Sequence, residues 1–313
     1  MHRAITAMLA LVLLLTTAHG AVAGAAQKHP KSKPQDAANA TPVAKEGPAF
    51  TTDPDLMSGY RALYEQDFPG ARAKFTAWAA AHPDEAFGQV SLAAGYLFDE
   101  FNRHGVLTSE FFMNDDKFLH GIDGEPDADR MKGFHEAIDK SRAMANAKLK
   151  TSPGDPNALF ALTMAAGMES NDFTIVEKKH LDGLKRMKEA NDYAKQLLTA
   201  HPEVVDVYVA PGSANYIIGC LSGTARFFLW FGGIKGDKKL GMEEVDKTAE
   251  NGRYLKGFAE ILLALSSRRE KQNARAEALL KSLTEEFPAS PLFAAEYAKV
   301  QGRPVPAELV PAH

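Results

Sequence analysis

The stretch from Asp99 to Arg130 gathers the side chains that bind cations or move protons. It holds Asp99, Glu100, Glu110, Asp115, Asp116, Asp123, Glu125, Asp127 and Asp129, with His104 and His120. Carboxylates and imidazoles at this density suit a divalent metal. The run Asp123-Gly124-Glu125-Pro126-Asp127-Ala128-Asp129 opens like a calcium loop. Its sixth position is Ala128 instead of Gly, and its twelfth is Phe134, where a bidentate acid is needed. The segment therefore reads as a solvated acidic loop with helix caps and no metal.

Other chemistry-bearing residues are dispersed. No His-Glu-x-x-His or His-x-His spacing occurs, and His82 and His201 each precede a proline where a helix should end. Ser213 and Ser222 lie outside any Gly-x-Ser-x-Gly elbow. Gly232 to Asp237 lacks the Gly-Lys-Ser/Thr of a phosphate loop and reads as a turn between helices. The single cysteine, Cys220, permits neither an intrachain disulfide nor a cysteine-based zinc site. Phe227-Phe228-Leu229-Trp230-Phe231 has one neighbouring cation, Arg226, and reads as core instead of a membrane wedge. No catalytic signature and no cofactor motif emerges. A net charge of −4 supplies no global field for nucleic acid, and 45% apolar residues exclude disorder of the whole chain.

The elements that must position these residues begin after an address. Arg3 precedes the 12 mostly apolar residues Ala4–Leu15, and Ala21-Val22-Ala23 offers small residues at a cleavage site. This order predicts a secretory signal peptide over 1–23. Its apolar run is short for ~30 Å of hydrocarbon, and no later stretch approaches ~18 apolar residues, so the mature chain is expected to carry no integral membrane segment. Residues 24–52, with Lys28, Lys31 and Lys33 among Pro30, Pro34, Pro42 and Pro48, read as a disordered linker. A helical domain follows over 53–302, with 99–130 as an irregular insertion and 303–313 as a tail. Asp53-Pro54 caps a helix on which Leu56, Tyr60, Leu63 and Tyr64 recur at helical spacing. Asp67 to Gly70 makes a turn, and Ala71, Phe75 and Trp78 restart the pattern up to Pro83. Val204–Val209 is β-branched, but with no second run to pair with it reads as helix. Ala210-Pro211-Gly212 should kink or split the helix that follows.

These residues resemble the tetratricopeptide repeat. With Pro83 at the closing position, Gly59, Ala71, Phe75 and Trp78 take the small, small, aromatic and apolar positions. Pro202 places Ala190, Ala194 and Leu197 in the second helix, and Pro288 places Ala264, Ala276, Leu280 and Leu283. The three prolines do not fall at multiples of the ~34-residue repeat. The second half is also similar to exported bacterial proteins with tetratricopeptide-like repeats and no assigned activity. Asp155–Phe160, Asn215–Gly219, Gly236–Gly241, Glu250–Tyr254 and Phe287–Phe293 carry that similarity. The resemblance implies an all-α, tetratricopeptide-like α-solenoid of degenerate helix-turn-helix repeats, of about six helix pairs, interrupted by an irregular insertion.

Such a fold implies a noncatalytic protein, periplasmic or secreted, that binds a protein or peptide partner in a helical groove. Tyr60 and Tyr64, four residues apart and opposite the packing side of Gly59, are the expected partner contacts, with Asn215 and Tyr216 from the second half. The alternative is a periplasmic protein binding a small molecule or metal through the acidic insertion. Cleavage is expected after Ala23, and Edman sequencing of exported protein should begin at Gly24; retention of Met1 would contradict the address.

Overall fold

The computed structural model describes residues 45–221, 236–306 and 309. The signal peptide, most of the linker, Ser222, the aromatic run at 227–231 and Gly232–Lys235 lie outside them. Regular structure among the described residues is entirely helical, in the order α1 (Pro54–Tyr64), α2 (Phe68–Ala81), α3 (Ala86–Arg103), α4 (Ser109–Met113), α5 (Asp115–His120), α6 (Ala128–Thr151), α7 (Pro156–Asn171), α8 (His180–Ala200), α9 (Val209–Cys220), α10 (Lys238–Asn251), α11 (Lys256–Arg269), α12 (Asn273–Glu286) and α13 (Pro291–Val300). A π-helical turn, Asp172–Val176, extends α7, and a 3-10 turn, Val205–Tyr208, leads into α9. Among these residues no helix is long and apolar enough to cross a membrane.

Helix starts follow local chemistry. Asp53, Asp67, Asp155 and Ser290 each accept backbone N–H bonds at an N-cap followed by proline in the first turn. Successive helices then pack as antiparallel hairpins: α1 with α2, α3 with α6, α7 with α8, α9 with α10 and α11 with α12, with α13 on the end. Among the described residues the pairs number five, and the insertion sits inside one of them, between α3 and α6.

The small residues mark the closest crossings. Gly59 lies against the Phe75 ring, where an added Cβ would stand 2.5 Å from Cε1. Ala71, Phe75, Ala194, Leu197, Ala276 and Leu283 are all fully buried. Pro211 departs from expectation. Helix α9 runs unbroken from Val209, and Pro211 is its third residue, in the first turn, where an N–H has no intrahelical partner to lose. Gly212 serves packing instead: a Cβ there would meet Gly241 O of α10 at 2.9 Å. Of the Val204–Val209 segment, Val205–Val209 is helical, as the 3-10 turn and the first residue of α9, and Val204 lies just ahead of it.

The first and last hairpins touch. Tyr64 of α1 donates its hydroxyl to Tyr254 O at 2.7 Å and accepts from Phe258 N at 3.2 Å. Arg61 donates to Glu286 O at 3.0 Å, and Leu292 N donates to Gln66 Oε1 at 3.0 Å. The end of the expected linker joins this seam. Ala49 is fully buried, and its N–H donates to Asn157 Oδ1 at 2.8 Å. Gly47, with φ +81°, lets the chain reverse there, so the ordered body begins ahead of Asp53.

Enlarging a crossing position should strain the hairpin. Ala71→Leu and Ala276→Leu are expected to destabilise by about 1–3 kcal/mol each. Ala77→Leu, exposed on the same helix as Ala71, should be near neutral in thermal melts. Equal melting temperatures for all three would sink the repeat alignment.

Candidate functional site

Two of the four expected partner contacts are interior. Tyr60 is 1% exposed. Its ring meets Phe75 edge-on at 5.2 Å and lies 5.2 Å from Tyr254, and its hydroxyl pairs with Ser91 Oγ at 2.9 Å. Burial pushes the Tyr60 hydroxyl well above the usual phenol range. Tyr64 is half-buried, and its hydroxyl is engaged at the Tyr254 seam. The face opposite Gly59 is therefore the closing face of the helix array, not an open groove.

Asn215 and Tyr216 are half-buried on α9. Asn215 donates to Glu244 Oε2 at 2.7 Å, and Tyr216 donates to Glu270 Oε1 at 3.3 Å. Glu270 also pairs with Lys238 at 2.7 Å. The α9–α10 hairpin also exposes two large apolar side chains: Ile217 is 43% and Leu240 is 45% exposed. With Met113 of α4 they are the exposed large hydrophobics among the described residues.

The acidic insertion is less solvated than its composition suggests. Its first two carboxylates sit at the end of α3, and the Glu100 side chain is fully buried. Glu100 accepts from Arg103 at 2.6 Å, from Asp127 N at 2.9 Å and from Arg130 at 3.4 Å, with His104 Nε2 at 3.0 Å. Asp99 binds Arg72 at 2.7 Å and Arg130 at 3.0 Å. These bonds bring the start of α6 back to the end of α3. Asn114 and Asp127 cap α5 and α6, as the loop reading expects. Asp115 pairs with Arg269 at 2.8 Å, and Glu110 pairs with Lys299 at 3.3 Å, so the insertion also grips α11 and α13. Asp123 stays exposed, with His120 at 3.3 Å.

A different cluster converges where α7 gives way to the π-helical turn. His135 Nε2 of α6 lies 2.9 Å from Asp172 Oδ2. Together with Glu177, one ligand atom from each residue lies within 4.8 Å of the others. Asp172 is 2% exposed, and its Oδ1 has no hydrogen-bond partner. Its hydrogen bond to Asp172 raises the His135 pKa, whereas burial raises that of Asp172. Lys179 Nζ stands 2.5 Å from Glu177 Oε2. Beside them opens a cleft of about 390 Å³ lined by Phe173, Lys179, Asp182, Lys185, Arg186 and Glu189. Of its lining residues, Glu189 belongs to an ion-pair network in which Arg142 joins Glu169 at 2.7 Å and Glu189 at 2.5 Å, tying α6, α7 and α8 together. Nothing in the local spacing of His135, Asp172 and Glu177 marks them in the sequence; only the hairpin packing assembles them.

The chain matches no protein-family model, no curated protein and no solved structure.

The insertion's anchor has a measurable acid signature. Burial raises the Glu100 carboxyl, but the Arg103 and His104 hydrogen bonds, the Asp127 N–H and the Arg103 charge outweigh it and hold the pKa at about 2. A carboxyl depressed on folding adds stability that is complete above its unfolded value and lost as pH falls through the folded one. The native protein should therefore lose on the order of 3 kcal/mol from this group between roughly pH 4.5 and 2. Glu100→Gln should be less stable at pH 7 and show a correspondingly flatter acid limb in urea titrations. An acid limb identical to that of the native protein would show that Glu100 is not the anchor.

Proposed function

We propose that the protein is an exported, noncatalytic scaffold of tetratricopeptide-like helix pairs that binds a protein or peptide partner through the α9–α10 hairpin. The observation that carries this reading is the exposure of Ile217 and Leu240 on that hairpin, beside Asn215 and Tyr216. Large apolar side chains left in water beside hydrogen-bonded polar ones have the composition of a contact surface with an apolar centre and a polar rim. Tyr216 is held by Glu270 and loses little side-chain freedom on contact. The contact set is thus Asn215, Tyr216, Ile217 and Leu240, without Tyr60 and Tyr64.

Two further features support a noncatalytic role. Asp206, fully buried, accepts the Arg253 and Leu255 N–H groups at 2.9 and 2.8 Å and shapes the loop before α11. Glu100 shapes the insertion in the same manner. These two buried carboxylates thus hold backbone N–H groups.

Photo-crosslinking in producing cells tests the surface. A benzoylphenylalanine at position 217 or 240 should capture one and the same partner, whereas position 132, exposed on α6, should not. Ile217→Glu with Leu240→Glu should weaken binding of that partner at least tenfold. Equal capture from position 132, or none from 217 and 240, would refute the assignment.

A further inference from the structure

We propose that His135, Asp172 and Glu177 form a binding site for a first-row divalent cation, with Zn2+ the best fit. The inference is independent of the scaffold reading and rests on how the π-helical turn is built.

Asp172 and Glu177 are five residues apart. On an α-helix that separation turns the second side chain about 140° away from the first. The wider turn cancels this: Glu177 N donates to Asp172 O at 3.0 Å, an i to i+5 bond, and brings both carboxylates toward α6. Lys178 then adopts φ +59° and ends the turn. Two close approaches hold it in place. Ile122 N donates to Ile175 O at 2.9 Å, and the preceding Gly121, at φ +74°, has room for no side chain, since a Cβ would stand 2.2 Å from that same carbonyl. On the other side a Cβ at Gly183 would stand 2.1 Å from Thr174 Oγ1. The acidic insertion, through the end of α5, thus buttresses a distorted turn. Such wide turns recur at functional sites.

The donors suit a cation. An imidazole with two carboxylates is a borderline set, chemically suited to zinc and too nitrogen-rich and too small in number for calcium. An ion with bonds near 2.1 Å joins donors up to about 4.2 Å apart, and these donors already lie within 4.8 Å of one another, so a small side-chain shift closes the set. Asp172 Oδ1, buried without a hydrogen bond, is the strongest pointer: an unpaired carboxylate oxygen out of water is costly, and a cation removes that cost. Lys179, whose side chain is 59% exposed, partly neutralises Glu177 and is free to swing away.

Titration of the full exported chain with Co2+ and then Zn2+ tests this. Co2+ should produce visible d–d absorption saturating at one equivalent, and Zn2+ should displace it. His135→Ala, at a half-exposed position where folding is not at stake, and Asp172→Asn should each weaken binding at least tenfold. Lys179→Met, which frees Glu177, should tighten it several-fold. His120→Ala, near Asp123 in the insertion, should leave it unchanged. No absorption with the native chain, or native affinity in His135→Ala, would overturn the proposal, as would a loss caused by His120→Ala.

Discussion

The arrangement depends on a seam of tyrosines that joins the two ends of the helix array. Tyr254, fully buried at the loop between α10 and α11, accepts the Asp53 N–H on its hydroxyl and donates to Thr51 O at 3.1 Å. Its ring lies 5.2 Å from Tyr60 and 5.4 Å from Phe87, while its carbonyl receives the Tyr64 hydroxyl. One residue thereby contacts α1, α3 and the chain ahead of α1. In a linear stack each repeat touches only its neighbours and the ends are the weakest parts. Here residues about 190 positions apart share one aromatic core, so the terminal hairpin borrows stability from the far end.

Closure also explains where polar groups go. A buried loop leaves backbone N–H groups that need partners, and buried carboxylates supply them. Asp206 takes those of Arg253 and Leu255 and so positions Tyr254 between them. Glu100 takes that of Asp127, and its surrounding arginines compensate the charge. The insertion between α3 and α6 is then a brace, gripping α11 and α13 on one side and the π-helical turn on the other.

How much of this was legible beforehand follows from the range of each interaction. Caps, prolines and the spacing of Gly59, Ala71 and Phe75 are local signals, and they predict the helices and the pairing of neighbours. The Pro211 kink failed because the 3-10 turn ahead of it moves the helix start, placing proline in the first turn. Tyr60 and Tyr64 misled for a different reason. Four-residue spacing marks one helix face but carries no information about whether that face meets a ligand or the other end of the chain. His135, Asp172 and Glu177 come together only through the α6–α7 packing and a π-helical turn, and neither leaves a periodic trace.

Native-state hydrogen exchange across the whole chain tests the closed seam most directly, because exchange resolves the opening energy of each helix. The account predicts that amides of α1 and α11, Phe258 among them, exchange with the same opening free energy as those of α7, in one cooperative unit. Exchange of α1 and α2 well ahead of α7, with protection rising inward from each end, would contradict closure and describe an open stack.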